Sequence, residues 1–262
     1  MRRTGGFGQP SALPLEPEAR ERVREKLEAR ARGKLPDSAL GALCASSARG
    51  VAFAAAKHWW LVRSALDSEA PGKTATQVAP RALAGLAGAV ALHGVGKLLS
   101  AGQTLLGVEP RGRPLSDEER ALLERVFGEA LDLEPLRIKE GRAGLASLTD
   151  RPFVHGEVLY LQEWTLEPHI LVHEAVHWWQ SQHGGPDYML DSLCSQAFGH
   201  GYDWQASVPD VPWAELEVEQ QAAFIEALYR RGYFDGALIA GRRLRTYAAD
   251  AVAELRAGRG AP

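Results

Sequence analysis

The chain has 262 residues, 45% of them apolar and 24% charged, enough for one large domain or two small ones of ~100–200 residues each. That balance is the one found in globular proteins and excludes a disordered, fibrous or low-complexity chain. A formal net charge of −3 supplies no field to hold nucleic acid or an anionic membrane surface, and the two cysteines, Cys44 and Cys194, stand too far apart and too isolated for a disulfide framework or a thiolate metal site.

Residues 1–15 are rich in Gly and Pro without periodicity and read as a flexible arm. Gly5-Gly6-Phe7-Gly8-Gln9-Pro10 follows Met1-Arg2-Arg3 where a signal peptide needs an apolar core. No ordinary signal peptide is therefore expected, and the chain is expected to be cytoplasmic as synthesised. Residues 16–110 read as a helical N-terminal region. Within it, Glu16–Arg32 alternates Glu and Arg at helical spacing, as in a solvated helix supported by ion pairs. Two small-residue apolar stretches follow, Ala39–Leu66 and Ala79–Val108. The uninterrupted run from Ala82 to Leu92 ends at His93, Gly96 and Lys97, short of the ~20 residues a bilayer span needs. Helices packed in water are expected there, and membrane contact through residues 79–108 is the less favoured reading.

Glu109-Pro110-Arg111-Gly112-Arg113-Pro114 is the best linker in the chain and sets the start of a second region, residues 111–262. Ser116-Asp117-Glu118-Glu119 has the form of a capping box. It predicts a helix from about Asp117 to Leu131 with Leu122, Leu123, Val126, Phe127, Ala130 and Leu131 on its buried face. Short extended pieces follow at Leu136–Ile138, Phe153–Val154 and, most clearly, Val158–Leu161. Pro168 suits the first turn of the next helix and Gly184-Gly185-Pro186 its end. The fold class expected is α+β, mainly helical.

That helix carries His173-Glu174-Ala175-Val176-His177-Trp178-Trp179-Gln180. Residues four apart lie one above the other on a helix, so both imidazoles can face one ion, and zinc accepts two such ligands well. Glu174 is turned about one residue round the helix, close enough to take a proton from a water at the ion without coordinating it. Between Ile170 and Gln180 it is the only acid or base besides the two histidines, and an acid buried there is costly unless it has work to do.

Two residues compete for the third ligand. His183 follows His177 by six residues, the spacing of HExxHxxGxxH, but Gln180 stands where that pattern needs a glycine to end the helix. Glu219 lies at the edge of an apolar stripe formed by Leu216, Ala223, Phe224, Ala227 and Leu228 on a helix read over Glu215–Leu228. A carboxylate turned towards the core from that edge needs a cation, and Glu219 is the stronger candidate.

The HEAVHWWQ stretch resembles the HExxH metallopeptidase-type domain that accompanies bacterial contractile injection systems, including proteins related to the spike proteins of type VI secretion. The resemblance also takes in Arg113-Pro114-Leu115-Ser116, Val126-Phe127-Gly128, Val158-Leu159-Tyr160, Gly201-Tyr202-Asp203-Trp204 and Val218-Glu219-Gln220-Gln221-Ala222. It covers about the last half of the chain, and the ordered set is more specific than HExxH alone. It implies a zincin-like, gluzincin-type fold in residues 111–262, with Zn2+ held by His173, His177 and Glu219 and with Glu174 as general base. It also implies a peptide or protein substrate lying near the Val158–Leu161 strand, which would be an edge strand, and a secretion or injection apparatus as partner or delivery route. Tyr202 can donate to the oxyanion of the tetrahedral intermediate, or it can simply pack over the metal helix. His169 and His200 are expected to be solvated or supporting. Two other functions stand beside the zinc peptidase. One is a catalytically silent zinc-binding adaptor of a secretion apparatus; the other is a membrane-active toxin whose N-terminal helices insert.

Overall fold

The computed structural model describes residues 90–107, 109–141, 151–185, 188–189, 191–192 and 200–261, together with positions 55, 58, 80, 83 and 86–88. The expected arm, the Glu/Arg helix and both cysteines lie outside the described residues. A π-helical stretch, Val90–Gly96, runs into helix α1, Lys97–Leu105. Among the described residues no helix is long and apolar enough to cross a membrane. Instead α1 lies against a sheet. Lys97 meets Glu157 at 2.6 Å, and Gly96 sits so near the His155 ring that an added Cβ would come to 2.8 Å of it.

Helix α2, Asp117–Phe127, begins with the full capping box: Ser116 accepts from the Glu119 amide, and the Glu119 side chain accepts from the Ser116 amide. Asp117, Glu118 and Glu119 in its first turn also suit the positive end of the helix dipole. It ends four residues before Leu131, because Gly128 at φ 62° turns the chain out of the helix. Leu131 and Leu133 still reach the core from the loop.

Strands β1 (Arg137–Lys139), β2 (Phe153–His155) and β3 (Val158–Tyr160) form a mixed sheet of order β1-β3-β2, with β3 parallel to β1 and antiparallel to β2. The strand expected at the edge, β3, is therefore central, and β2 is the outer strand on the side of the helix that carries His173 and His177. Alternation gives the sheet two faces. Ile138, Val154 and Leu159 enter the main core, whereas Lys139 and Tyr160 meet α1 through Ser100, and Phe153 stacks on Tyr160.

Helix α3, Pro168–His183, starts on Pro168 and ends at Gly184; every residue from Leu171 to Gln180 is buried. It pairs most extensively with α4, Val218–Arg230. The latter starts later than its sequence pattern indicates, because Trp213–Glu215 forms a separate 3-10 turn and Glu217 with Gln220 forms the capping box. A last helix, α5 (Arg242–Arg256), buries Ala248, Ala251, Val252 and Leu255. Trp178, Trp179, Phe127 and Phe224 fill the space between these helices, and truncating any of them to Ala would cost about 3–5 kcal/mol. Glu109–Pro114, expected as a linker, carries contacts: Glu109 is buried against Lys139, and Arg113 bridges to Ile138.

Candidate metal centre

The two fully packed helices α3 and α4 bring three side chains to one point. His173 and His177, one turn apart on α3, present their Nε2 atoms to Glu219 Oε2, which comes from the first turn of α4, at 3.5 and 3.6 Å. One ligand atom from each of the three lies within 4.8 Å of the others, and all three residues are buried. A His/His/Glu group of this kind can hold a metal ion.

The outer nitrogens show why the inner ones are available. His173 Nδ1 lies 3.1 Å from Glu226 Oε2, and His177 Nδ1 lies 2.8 Å from Gln180 Oε1. Each partner atom only accepts, so each Nδ1 carries a proton, and whenever the imidazole is neutral its Nε2 turns a lone pair inward. Glu219 is itself oriented, since its Oε1 accepts from the Ser192 hydroxyl. Behind the ligands runs a chain of amides. Gln180 donates to Val218 O and Gln221 Oε1, and Gln221 donates to the carbonyls of Trp213 and Gly260. Gln220 ties Asp203 O and Ser207 Oγ to the start of α4, which fixes the loop carrying Tyr202.

Glu174 stands beside the three ligands. Its carboxylate is buried, and Oε2 has no hydrogen-bond partner among the described residues. Burial pushes its pKa up, and the nearby imidazoles offset only part of that. The other groups shift through their mutual attraction. Burial disfavours charge on His173, yet Glu219 and Glu226 overcome it and push its pKa up to about 10. His177 is raised in the same way, burial being outweighed by Glu219. Glu219 is held well below the usual carboxylate range although burial opposes this, because both imidazoles face it. Three carboxylates surrounding two imidazoles draw protons in, and the same field would hold a metal cation.

Tyr202 lies next to this group, its ring 5.7 Å from that of His173 and under the Arg151 guanidinium at 5.4 Å. Burial and Glu219 raise its pKa, so it remains a phenol able to donate. His183 is not part of the cluster. Its Nε2 donates to Ala130 O at 2.6 Å and its ring lies on Trp179, on the side of α3 that faces α2 and the C-terminal segment. This follows from the uninterrupted helix through Gln180. His169 is at the rim, 3.9 Å from Glu226, and His200 is exposed and paired with Glu217.

Several supporting residues escape the sequence reading. Glu226 stands seven residues after Glu219 on the same helix face, and Gln180 stands three after His177, so helical periodicity could have pointed to both. Tyr188 could not have been found that way. It comes from the segment after α3, stacks 6.1 Å from His177 and donates to Val154 O of β2 at 2.6 Å.

Among curated proteins, the chain is 29% identical over 169 residues to the type VI secretion system spike protein VgrG2b of Pseudomonas aeruginosa; the match takes in 58% of this chain. It spans only 15% of that relative's length. No family model and no solved structure matches the chain.

Proposed function

We propose that this chain is a zinc-dependent metallopeptidase with a zincin-like catalytic region, acting as part or cargo of a bacterial secretion apparatus. The observation that carries the reading is the pairing of a three-residue ligand set with Glu174, a buried carboxylate that has one oxygen unpartnered among the described residues. Two nitrogens and one carboxylate oxygen suit zinc and leave a coordination position open, whereas a structural zinc is normally closed by four protein ligands. That contrast favours an enzyme over a silent adaptor.

Zinc bound there would supply a Lewis acid that polarises the scissile carbonyl and acidifies a water molecule. Glu174 takes the proton of the attacking water and returns it to the departing amine; its burial, which raises its proton affinity, suits it to both steps. Tyr202 donates to the carbonyl oxygen as negative charge develops on it. Glu226 and Gln180 hold the imidazoles in the tautomer that the metal needs. The similarity to a type VI secretion spike protein supports the link to a secretion apparatus and delivery by it.

The test is metal content by mass spectrometry on the wild type, Glu219→Ala and His183→Ala, combined with a peptide-library cleavage assay of the wild type and Glu174→Gln. About one zinc per chain, lost in Glu219→Ala and kept in His183→Ala, is expected, with cleavage abolished in Glu174→Gln. A wild type without zinc would overturn the metalloenzyme, and zinc without cleavage would favour the adaptor.

A further inference from the structure

A pocket of about 340 Å³ opens beside the metal centre, with Tyr202, Trp204, Ala223, Glu226, Arg230 and Arg231 on its walls. Two of these also belong to the surroundings of His173: the Tyr202 ring lies 5.7 Å from the His173 ring, and Glu226 Oε2 lies 3.1 Å from its Nδ1. Pocket and metal centre therefore share a wall one side chain thick. The acid on that wall is already engaged, with one oxygen at His173 and the other at the Arg230 guanidinium, 3.3 Å away. The Arg231 guanidinium lies over the Trp204 ring at 5.4 Å and meets no carboxylate within ion-pair distance among the described residues. The ring attracts and restrains the guanidinium at that distance, while its N–H donors meet no acid among the described residues.

We infer that this pocket is a recognition subsite for a carboxylate of the substrate peptide, resting on the peptidase reading above. Arg231 is the primary anchor, since a guanidinium held near an aromatic ring and paired with no acid among the described residues offers a paired set of donors that matches a carboxylate. Arg230 is the second, its exposed contact with Glu226 being weak enough to share or exchange. Trp204 and Ala223 give the apolar walls that a side-chain stem requires. A basic side chain would find both arginines against it and its one acid already used. An aspartate or glutamate side chain and the free C-terminus of the peptide both supply that carboxylate, and the shared chemistry is the same.

Two libraries distinguish these sources: C-terminally amidated hexapeptides carrying Asp, Glu, Asn or Gln at each position, and neutral hexapeptides with free or amidated C-termini. The wild type is expected to prefer the acid over its amide at one fixed position, or the free over the blocked terminus, by about tenfold or more. The preference should vanish or reverse in Arg231→Glu and shrink in Arg230→Gln. Because it is a ratio taken within each variant, overall loss of rate does not enter it. Cleavage without such a preference, or with one that Arg231→Glu leaves intact, overturns the subsite. If nothing is cleaved, the peptidase reading fails separately. The pocket is then read by fluorescence anisotropy of a dye-labelled pentapeptide containing one glutamate against its glutamine twin, alongside a neutral pentapeptide with free or amidated C-terminus. Tighter binding of either carboxylate form, lost in Arg231→Glu, supports the subsite, and equal binding within both pairs overturns it.

Discussion

The sheet separates two buried polar clusters that differ in one respect, whether they close on themselves. On the α1 side, Lys139 Nζ reaches Glu109 at 2.7 Å, Thr104 at 2.8 Å and Ser100 at 3.2 Å, while Ser100 also meets Glu109 and the Tyr160 hydroxyl. One full positive charge faces one negative charge, with a single Glu109 oxygen left over. On the α3/α4 side, Glu174, Glu219 and Glu226 surround two imidazoles, and the permanent cation paired with them among the described residues, Arg230, meets only Glu226 at the exposed edge, leaving Glu174 and Glu219 to the imidazoles alone. Both clusters are costly to bury. The first offsets that cost internally and fastens α1 to the sheet; the second offsets it only by taking up protons or a metal. A buried polar cluster that fails to balance its own charge is the better place to look for a ligand.

The largest contrast should appear in activity. Glu174→Gln is expected to lower peptide cleavage by about 10²–10⁴-fold while zinc per chain, read by mass spectrometry, stays at the wild-type level. Since burial opposes the charge on Glu174, this variant should unfold at the same or a higher urea concentration than the wild type. A clear loss of stability would show that Glu174 supports the fold and would weaken the contrast.

Next comes stability in the closed cluster. Glu109→Ala leaves the Lys139 ammonium buried without its partner, at an expected cost of about 3–5 kcal/mol in urea unfolding. Pairing Glu109→Leu with Lys139→Met should recover most of that, because removing both charges removes the desolvation problem with the attraction. If the double variant is as unstable as the single one, the cluster is held by shape rather than charge. Smaller effects are expected around the metal. Glu226→Ala and Gln180→Ala each free one imidazole to rotate and change tautomer, and zinc affinity measured by chelator competition should fall by about 10–100-fold. An equal fall in His183→Ala would break the assignment of that residue to the α2 side.

Sequence reasoning reaches the parts of this protein that local chemistry fixes. The capping box at Ser116, Pro168 at the start of α3, and the turn-apart placement of His173 and His177 are short-range devices. Glu219 is legible because a charged residue at the edge of an apolar stripe stands out. The central position of β3 was not legible, since strand order depends on pairing between segments distant in sequence and not on any one strand's composition. Helix α5 is not legible either: two of its four buried residues are alanine, and arginines dominate its first turns. The amides Gln180, Gln220 and Gln221 carry no charge to draw attention, yet they join α3, α4 and the Tyr202 loop.

The test that bears most directly on the contrast is pH dependence. Because the pKa of His173 is raised from 6.5 to about 10 in the metal-free fold, its protonation contributes stability that is fully present below about pH 6.5. That contribution is lost as pH rises through about 10. Metal binding requires the neutral imidazole, so it runs the other way, gaining up to about tenfold in affinity per pH unit for each proton displaced. Thermal unfolding between pH 6.5 and 9, once with chelator and once at fixed free zinc, should therefore give curves that separate as pH rises, the chelated protein falling and the zinc-loaded protein holding. Curves that stay parallel would mean that the imidazoles are already neutral without metal. The α3/α4 cluster would then be as closed as the one around Lys139, and charge imbalance would no longer distinguish the two.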